Sequence, residues 1–363
     1  MRRTNHHTCA RCSILPQYVL TDLAVQGDEE LRATALRTIG TSVAMRTRRT
    51  VITQMFQQLG VASADLAALN PTTDERKSVY DAQHGGHEDL AGVLRRNEGG
   101  QPVDDEPVNQ AFDNADHTHD FYRDVYQRNS VDGEGMELVS SVHFGTDFDN
   151  AFWNGLQMVY GDGSGLIMAK DSLTRDVAVV AHEITHGIVQ FTAGLRYSKQ
   201  SGALNESIAD VFGSMVKQYL AKETPDEADW LIGEGILGSE LRGQALRSMK
   251  APGTAFDQDR QPARMDEYVD LPDDNDPRHD HGGVHINSGI PNKAFYLVAT
   301  TLGGYSWEQA GHIWYHALTT QLRPSSSFAE AAEATTNSAV ELYGAGHDAE
   351  KAVHSAWKEV GVL

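Results

Sequence analysis

Two neighbouring stretches constrain this chain more than anything else in it: His182-Glu183-Ile184-Thr185-His186, an H-E-x-x-H pentapeptide, and Gly202-Ala203-Leu204-Asn205-Glu206-Ser207-Ile208-Ala209-Asp210 beyond it. On a helix the two histidines stand four residues apart and share one face, so two neutral imidazoles can reach one metal ion. Glu183 projects about 100° round from His182 and sits beside that ion without ligating it. The flanks, Val177-Ala178-Val179-Val180-Ala181 before and Gly187-Ile188-Val189 after, describe a buried helix rather than a solvated amphipathic one. A buried helix seldom carries His, Glu and His without employing them.

Glu206 and Asp210 are also four apart, so a metal-bound carboxylate and a supporting one would line the same helical face, with Asp210 holding the ring of His182. Two histidines and a carboxylate are a catalytic zinc set. Such a site keeps a fourth position for water, whose pKa the ion lowers to about 7, and Glu183 is placed to take the proton.

The charge balance narrows the partners. With 51 acidic against 30 basic residues the formal net charge is −21, which opposes nonspecific nucleic-acid binding and gives no reason to expect an anionic membrane surface. No apolar run approaches the roughly 18 residues of a membrane span, and the basic start leads into no stretch of signal-peptide type. Both cysteines, Cys9 and Cys12, fall in the first segment, so a disulfide framework is not expected. That C-x-x-C, with His6 and His7 beside it, reads as half a metal site, a redox pair, a thiol that meets the metal, or a plain flexible tail.

Along the chain, residues 1–50 read as a separate unit: an extended piece from Ile14 to Leu20, a helix through Leu31–Arg37, and a protease-accessible basic cluster at Arg46–Arg49. Short strands and loops follow from 51 to 104, around Ser78-Val79-Tyr80 and Gly92-Val93-Leu94. Apolar spacing from 107 to 127 predicts an amphipathic helix, strands return at 138–145 and 151–160, and helices dominate after the pentapeptide, at 204–221, 291–302, 307–321, 327–342 and 347–360. The chemistry falls at the junction of a β-rich and a helical half, a common place for a cleft.

Beyond the pentapeptide, four blocks carry a resemblance: Asn150-Ala151-Phe152-Trp153-Asn154-Gly155, Met158–Gly163, Ala245-Leu246-Arg247-Ser248-Met249 and Gly282-Gly283-Val284-His285-Ile286-Asn287-Ser288-Gly289-Ile290. Over roughly 75–350 the chain resembles the thermolysin family of zinc endopeptidases, and within it the protealysin-like branch with a short prosegment. The resemblance implies an α+β, two-domain thermolysin-like fold: a prosegment over 1–50, a β-rich catalytic half over 51–196 that includes the zinc helix, and a helical half over 197–363. It implies that Tyr197 and His285 donate to the oxyanion, that Asp280 orients His285, and that Arg247 grips a substrate carbonyl. Asn150 and the backbone of Ala151 would pair with the substrate main chain, while Leu246 and Val179 line a pocket selecting bulky apolar residues on the carboxyl side of the cut bond.

The family's calcium pattern is broken here, because Ala178 and Lys217 stand where acidic ligands are common, and lysine cannot ligate calcium. The paired calcium site is therefore expected to be absent, although the acidic 270–276 loop could bind an ion weakly. Cys12-Ser13-Ile14-Leu15-Pro16-Gln17-Tyr18 is similar to the prosegment motif of protealysin-like precursors, with Gln17 replacing a second proline. By that resemblance Cys12, Ile14, Leu15, Pro16, Gln17 and Tyr18 cover the cleft, Cys12 either ligates zinc or only packs, and maturation cuts between 40 and 50. Peptide substrates, the chain's own prosegment and a proteinaceous inhibitor are the partners implied, and secretion is the location. A binding protein keeping the fold as a relic and a zinc aminopeptidase are the competing readings. The intact Glu183 speaks against the first, and the lack of a visible acidic anchor for a substrate amine against the second.

Overall fold

The structure, a computed structural model, describes residues 12–59, 77–274 and 276–363. Residues 12–16 are irregular, and helix α1 (Gln17–Gln26) begins directly after Pro16. The extended reading of Ile14–Leu20 therefore holds only as far as Pro16, whose fixed φ and missing N–H suit a helix start. Helix α2 (Glu29–Leu59) is 31 residues long and opens with Asp28 Oδ1 accepting from the Leu31 amide at 3.0 Å. The Arg46–Arg49 cluster thus lies inside a helix. No proline and a single glycine interrupt the sequence 29–59, so nothing stops the helix earlier.

Five strands form one mixed sheet: β1 (Lys77–Asp81), β2 (Val93–Asn97), β3 (Leu138–Val142), β4 (Ala151–Trp153) and β5 (Met158–Tyr160), in the order β2-β1-β3-β5-β4. The β1–β3 and β3–β5 pairs are parallel, and β4 returns antiparallel on β5. Helix α3 (Glu106–Tyr126) starts at the N-cap Asp105 and buries Val108, Ala111, Phe112, Ala115, Tyr122 and Tyr126, the face that the apolar spacing predicts. Because β4 is an edge strand, its outer backbone is open to an extended peptide.

The second half is helical. Helix α4 (Val177–Phe191) carries the pentapeptide, α5 (Lys199–Ala221) carries Glu206, and a two-strand ribbon of β6 (Leu231–Ile232) and β7 (Arg247–Ser248) follows. Then come α6 (Asp280–Asn287), α7 (Gly289–Leu302), α8 (Gln309–His316) with a π-helical turn at Ala317–Gln321, α9 (Phe328–Tyr343) and α10 (Asp348–Glu359). Helices α4 and α5 cross closely at Gly213, where a Cβ would stand 2.6 Å from the Ala178 carbonyl oxygen. That approach brings Glu206 against the histidines. One apolar cluster runs from Ile14 and Leu15 through both halves to Trp357 and Val360, so the first segment, the sheet and the helices share a core.

Candidate active site

His182, Glu183 and His186 lie on α4 with no exposure to solvent, and Glu206 and Asp210 on α5 are equally buried. His186 Nδ1 donates to Asn205 Oδ1 at 2.8 Å, and the Asn205 amide is fixed in that orientation by its own donation to the Leu195 carbonyl at 3.1 Å. His182 Nδ1 donates to Asp210 Oδ1 at 2.8 Å. With both Nδ1 atoms protonated, the two Nε2 atoms of the neutral rings are bare lone pairs, and they face each other at 3.0 Å. Glu206 adds carboxylate oxygens 3.5 Å from His182 Nε2 and 3.4 Å from His186 Nε2, and its Oε2 has no hydrogen-bond partner.

Three buried electron-pair donors pointed at one spot repel one another unless a cation lies between them. Donors about 2.0–2.2 Å from a tetrahedral zinc stand roughly 3.3–3.5 Å apart, close to the separations found. The residues present therefore fit zinc, and they are the one such group among the described residues. Burial pushes the His186 imidazole down to about 3, against the pull of Glu206, which favours the neutral ring that a metal requires. Burial would raise the Glu206 carboxyl, but the rings of His285, His186 and His182 and the Arg247 charge hold it below its ordinary value.

Glu183 stands apart from this set. Its Oε2 accepts from the Trp153 amide at 2.7 Å, whereas its Oε1 is buried without a partner. Burial, reinforced by Glu206 and opposed by His182, pushes its carboxyl up to about 7, the range suited to a proton acceptor working near neutrality.

The opposite wall comes from β7, α6 and the loop before α5. Arg247 donates from Nε and Nη2 to the two Asp210 oxygens at 2.8 and 2.9 Å, a bidentate grip that leaves Nη1 free to point into the cleft. Asn292 Nδ2 also donates to Asp210 at 2.9 Å. Asp210, although buried, is held well below the usual carboxylate range by Arg247 and His182. His285 reaches the site because His281, Gly282 and Gly283 adopt left-handed φ of 52°, 86° and 80° at the kink in α6, where glycine carries little penalty. Its Nδ1 donates to Asp280 Oδ1 at 2.6 Å and its Nε2 lies 3.0 Å from Tyr197 Oη. Burial would lower the His285 ring, but Glu206 and Asp280 lift it to about 9. Tyr197 Oη in turn donates to Glu206 Oε1.

Residues 13–15 lie across these groups. The Ile14 amide donates to the Ala151 carbonyl at 3.0 Å, and the Ile14 carbonyl accepts from Arg247 Nη1 at 2.9 Å. The Leu15 amide donates to Asn150 Oδ1 at 3.0 Å and its carbonyl accepts from Asn150 Nδ2 at 3.2 Å. His285 Nε2 reaches the Ser13 carbonyl at 2.9 Å. Ile14 and Leu15 are fully buried, in the cluster that contains Val179 and Leu246. Tyr18 is buried under the Arg260 guanidinium, and Gln17 and Pro16 are buried beside it. Cys12 is engaged in a disulfide and packs against Tyr197 and Val284.

The sequence matches the thermolysin metallopeptidase catalytic domain over residues 53–190 and the thermolysin metallopeptidase alpha-helical domain over 193–362. The chain belongs to the thermolysin family of metallopeptidases. As a member, it is a zinc-dependent neutral metalloendopeptidase with a prosegment. It is 42% identical to an extracellular metalloprotease of Pectobacterium carotovorum subsp. carotovorum, over 97% of this chain and 96% of that one. It is 39% identical to protease PrtS of Photorhabdus sp. (strain Az29), over 96% and 91%. Its fold is similar to that of the precursor of protealysin, a metalloproteinase from Serratia proteamaculans, with a TM-score of 0.82 and 40% identity over 97% of this chain and 100% of that one.

Three supporting residues are not visible in the sequence reading. Asn205 had one available signal, its position beside Glu206 on the same helix. Gln190 accepts from the Trp153 indole at 3.1 Å and donates to the Gly155 carbonyl at 3.2 Å, tying α4 to β4. Asn292 has no local signal at all. Of the two positions weighed for calcium in the sequence, Ala178 is buried in α4 and Lys217 Nζ lies 2.7 Å from Asp229 and 3.0 Å from Glu234.

Proposed function

We propose that this endopeptidase cuts on the amino side of bulky apolar residues, with Glu183 as general base and Tyr197, His285 and Arg247 as substrate-binding groups. The observation that carries the reading is the unpartnered Glu183 Oε1 beside the buried His182–His186–Glu206 set. His182, His186 and Glu206 would hold zinc, which when bound would supply a Lewis acid for the carbonyl and for a water that loses its proton near neutral pH. Glu183 accepts that proton and hands it to the leaving amine. His285, protonated and oriented by Asp280, and Tyr197, turning its hydroxyl from Glu206, donate to the developing oxyanion, a role worth roughly 10²- to 10³-fold per donor. Arg247 and Asn150 hold the chain after the cut bond, Ala151 pairs with it as an added strand would, and Val179 and Leu246 favour an apolar side chain there.

Residues 1–50 act, in this reading, as an inhibitory prosegment, because residues 13–15 satisfy the donors and acceptors that a substrate would use. The catalytic halves divide near 196. Release by a cut between 40 and 50 requires α2 to open locally, since a protease needs an extended strand. Secretion follows from the extracellular naming of a relative, and free paired calcium is not needed because Lys217 supplies positive charge. Cleavage of an unstructured protein, sequenced at its new termini, tests the proposal: apolar residues after the cut and loss of activity with a zinc chelator support it. Cuts confined to the first residue of the substrate would favour an aminopeptidase instead.

A further inference from the structure

The first segment is held in the cleft with the polarity and register of a substrate, and this goes further than blockage. We infer that the enzyme cuts its own prosegment between Ser13 and Ile14, within one molecule, before the rest of that segment is lost. The inference rests on the catalytic roles proposed above. Five backbone groups define the register: the Ser13 carbonyl on His285 Nε2 at 2.9 Å, the Ile14 amide on Ala151 at 3.0 Å, the Ile14 carbonyl on Arg247 at 2.9 Å, and both Leu15 groups on Asn150 at 3.0 and 3.2 Å. The carbonyl presented to the oxyanion donor is that of Ser13, so the bond that follows it is the reacting one.

A segment built to resist cutting would run backwards, offset its carbonyl from the donor, or put proline after the reacting bond. None of these devices is present: Ile14 follows the bond, fully buried as a bulky apolar residue should be, and Pro16 lies two residues further on. In the reaction a water oxygen bonds to the Ser13 carbonyl carbon and the C–N bond to Ile14 breaks. Glu183 carries the water's proton to the departing Ile14 amine, leaving a Ser13 carboxylate. Water is the only co-reactant, and nothing is oxidised or reduced.

The cut does not release the remainder. Ile14, Leu15, Tyr18, Val19, Leu20 and Leu23 stay buried in the shared core, and Arg260 pairs with Asp22. The nicked chain therefore persists with its new Ile14 terminus in the cleft, while residues up to Ser13 can leave. Activation requires the later removal of the segment from Ile14 onward.

The test isolates the full chain under chelation, restores zinc, and follows intact mass and N-terminal sequence over a range of protein concentrations, with casein cleavage measured on a portion from which trypsin has removed the first segment. The inference predicts a chain beginning at Ile14 that forms with first-order kinetics independent of protein concentration, and is absent in Glu183→Ala. Ile14→Asp should slow that cut by at least about tenfold through loss of the apolar pocket contact, while the same chain, once trypsin has removed its first segment, cleaves casein as the parent does. Casein cleavage without any Ile14 terminus would overturn the inference and leave the peptidase reading intact. So would an Ile14 terminus whose rate grows with protein concentration, or one that forms equally in Glu183→Ala. Failure to cut either casein or itself would overturn the catalytic reading and this inference with it.

Discussion

Replacing Lys217 by methionine removes the positive charge from a group of three carboxylates, Asp176, Asp229 and Glu234. Lys217 Nζ is 2.7 Å from Asp229 and 3.0 Å from Glu234, both partly exposed. Two such pairs contribute about 0.5 kcal/mol each. Asp176, the N-cap of α4, is half-buried; desolvation raises its carboxyl, and Lys217 is the charge that opposes the rise. Leaving it without that charge costs about 1–2 kcal/mol more, less than for a fully buried pair because Lys217 retains some exposure. The sum, about 2–3 kcal/mol, should lower the melting temperature by roughly 3–4 °C in a chain of this length. The measurement belongs in a Glu183→Ala background, which removes self-digestion, in zinc-saturated buffer without calcium and again in millimolar calcium. The parent should melt at the same temperature in both, and Lys217→Glu should melt lower without calcium and regain stability with it. A parent stabilised by calcium, or a Lys217→Met change of no consequence, would refute the assignment of Lys217 as the resident cation.

Two further outcomes follow from the same geometry. Asn205→Ala should weaken zinc binding about 10- to 100-fold, because the ring of His186 loses its orienting acceptor; competition against a chelator of known affinity measures it. His143 lies 2.7 Å from Asp162 and 3.3 Å from Asp105, and the hydrogen bond to Asp162 lifts its ring from 6.5 to about 9 against burial. A raised histidine stabilises the fold fully below 6.5 and loses that contribution as pH rises through 9. His143→Leu should therefore cost about 1–3 kcal/mol at pH 6, and the difference from the parent should shrink by pH 10, as followed by denaturant unfolding.

The zinc site was legible because its information is local. Four-residue spacing puts His182 beside His186 and Glu206 beside Asp210, and apolar flanks announce burial. Arg247 was legible only through the motif around it, since it lies on a two-residue strand whose pairing with β6 no periodicity reveals. Gln190 and Asn292 were not legible, because each acts on a partner brought near by tertiary packing, Trp153 and Asp210. The first segment was misread in detail for a related reason. Ile14–Leu20 is apolar enough for a strand, but Pro16 starts a helix whose buried face is provided by the cleft and not by the segment itself. The basic cluster Arg46–Arg49 reads as the end of the first unit, but with no proline and a single glycine between 29 and 59 the helix runs on through it to Leu59.

The central claim is that three buried ligands hold one zinc ion and that Glu183 does the proton work beside it. The most direct test measures bound zinc and cleavage rate on the same preparations of the prosegment-free enzyme, Glu183→Ala and Glu206→Gln. The account predicts one equivalent of zinc in the parent and in Glu183→Ala, with cleavage lost only in the latter, and weakened zinc retention in Glu206→Gln. Undiminished cleavage by Glu183→Ala, or full activity in a zinc-stripped parent, would contradict it.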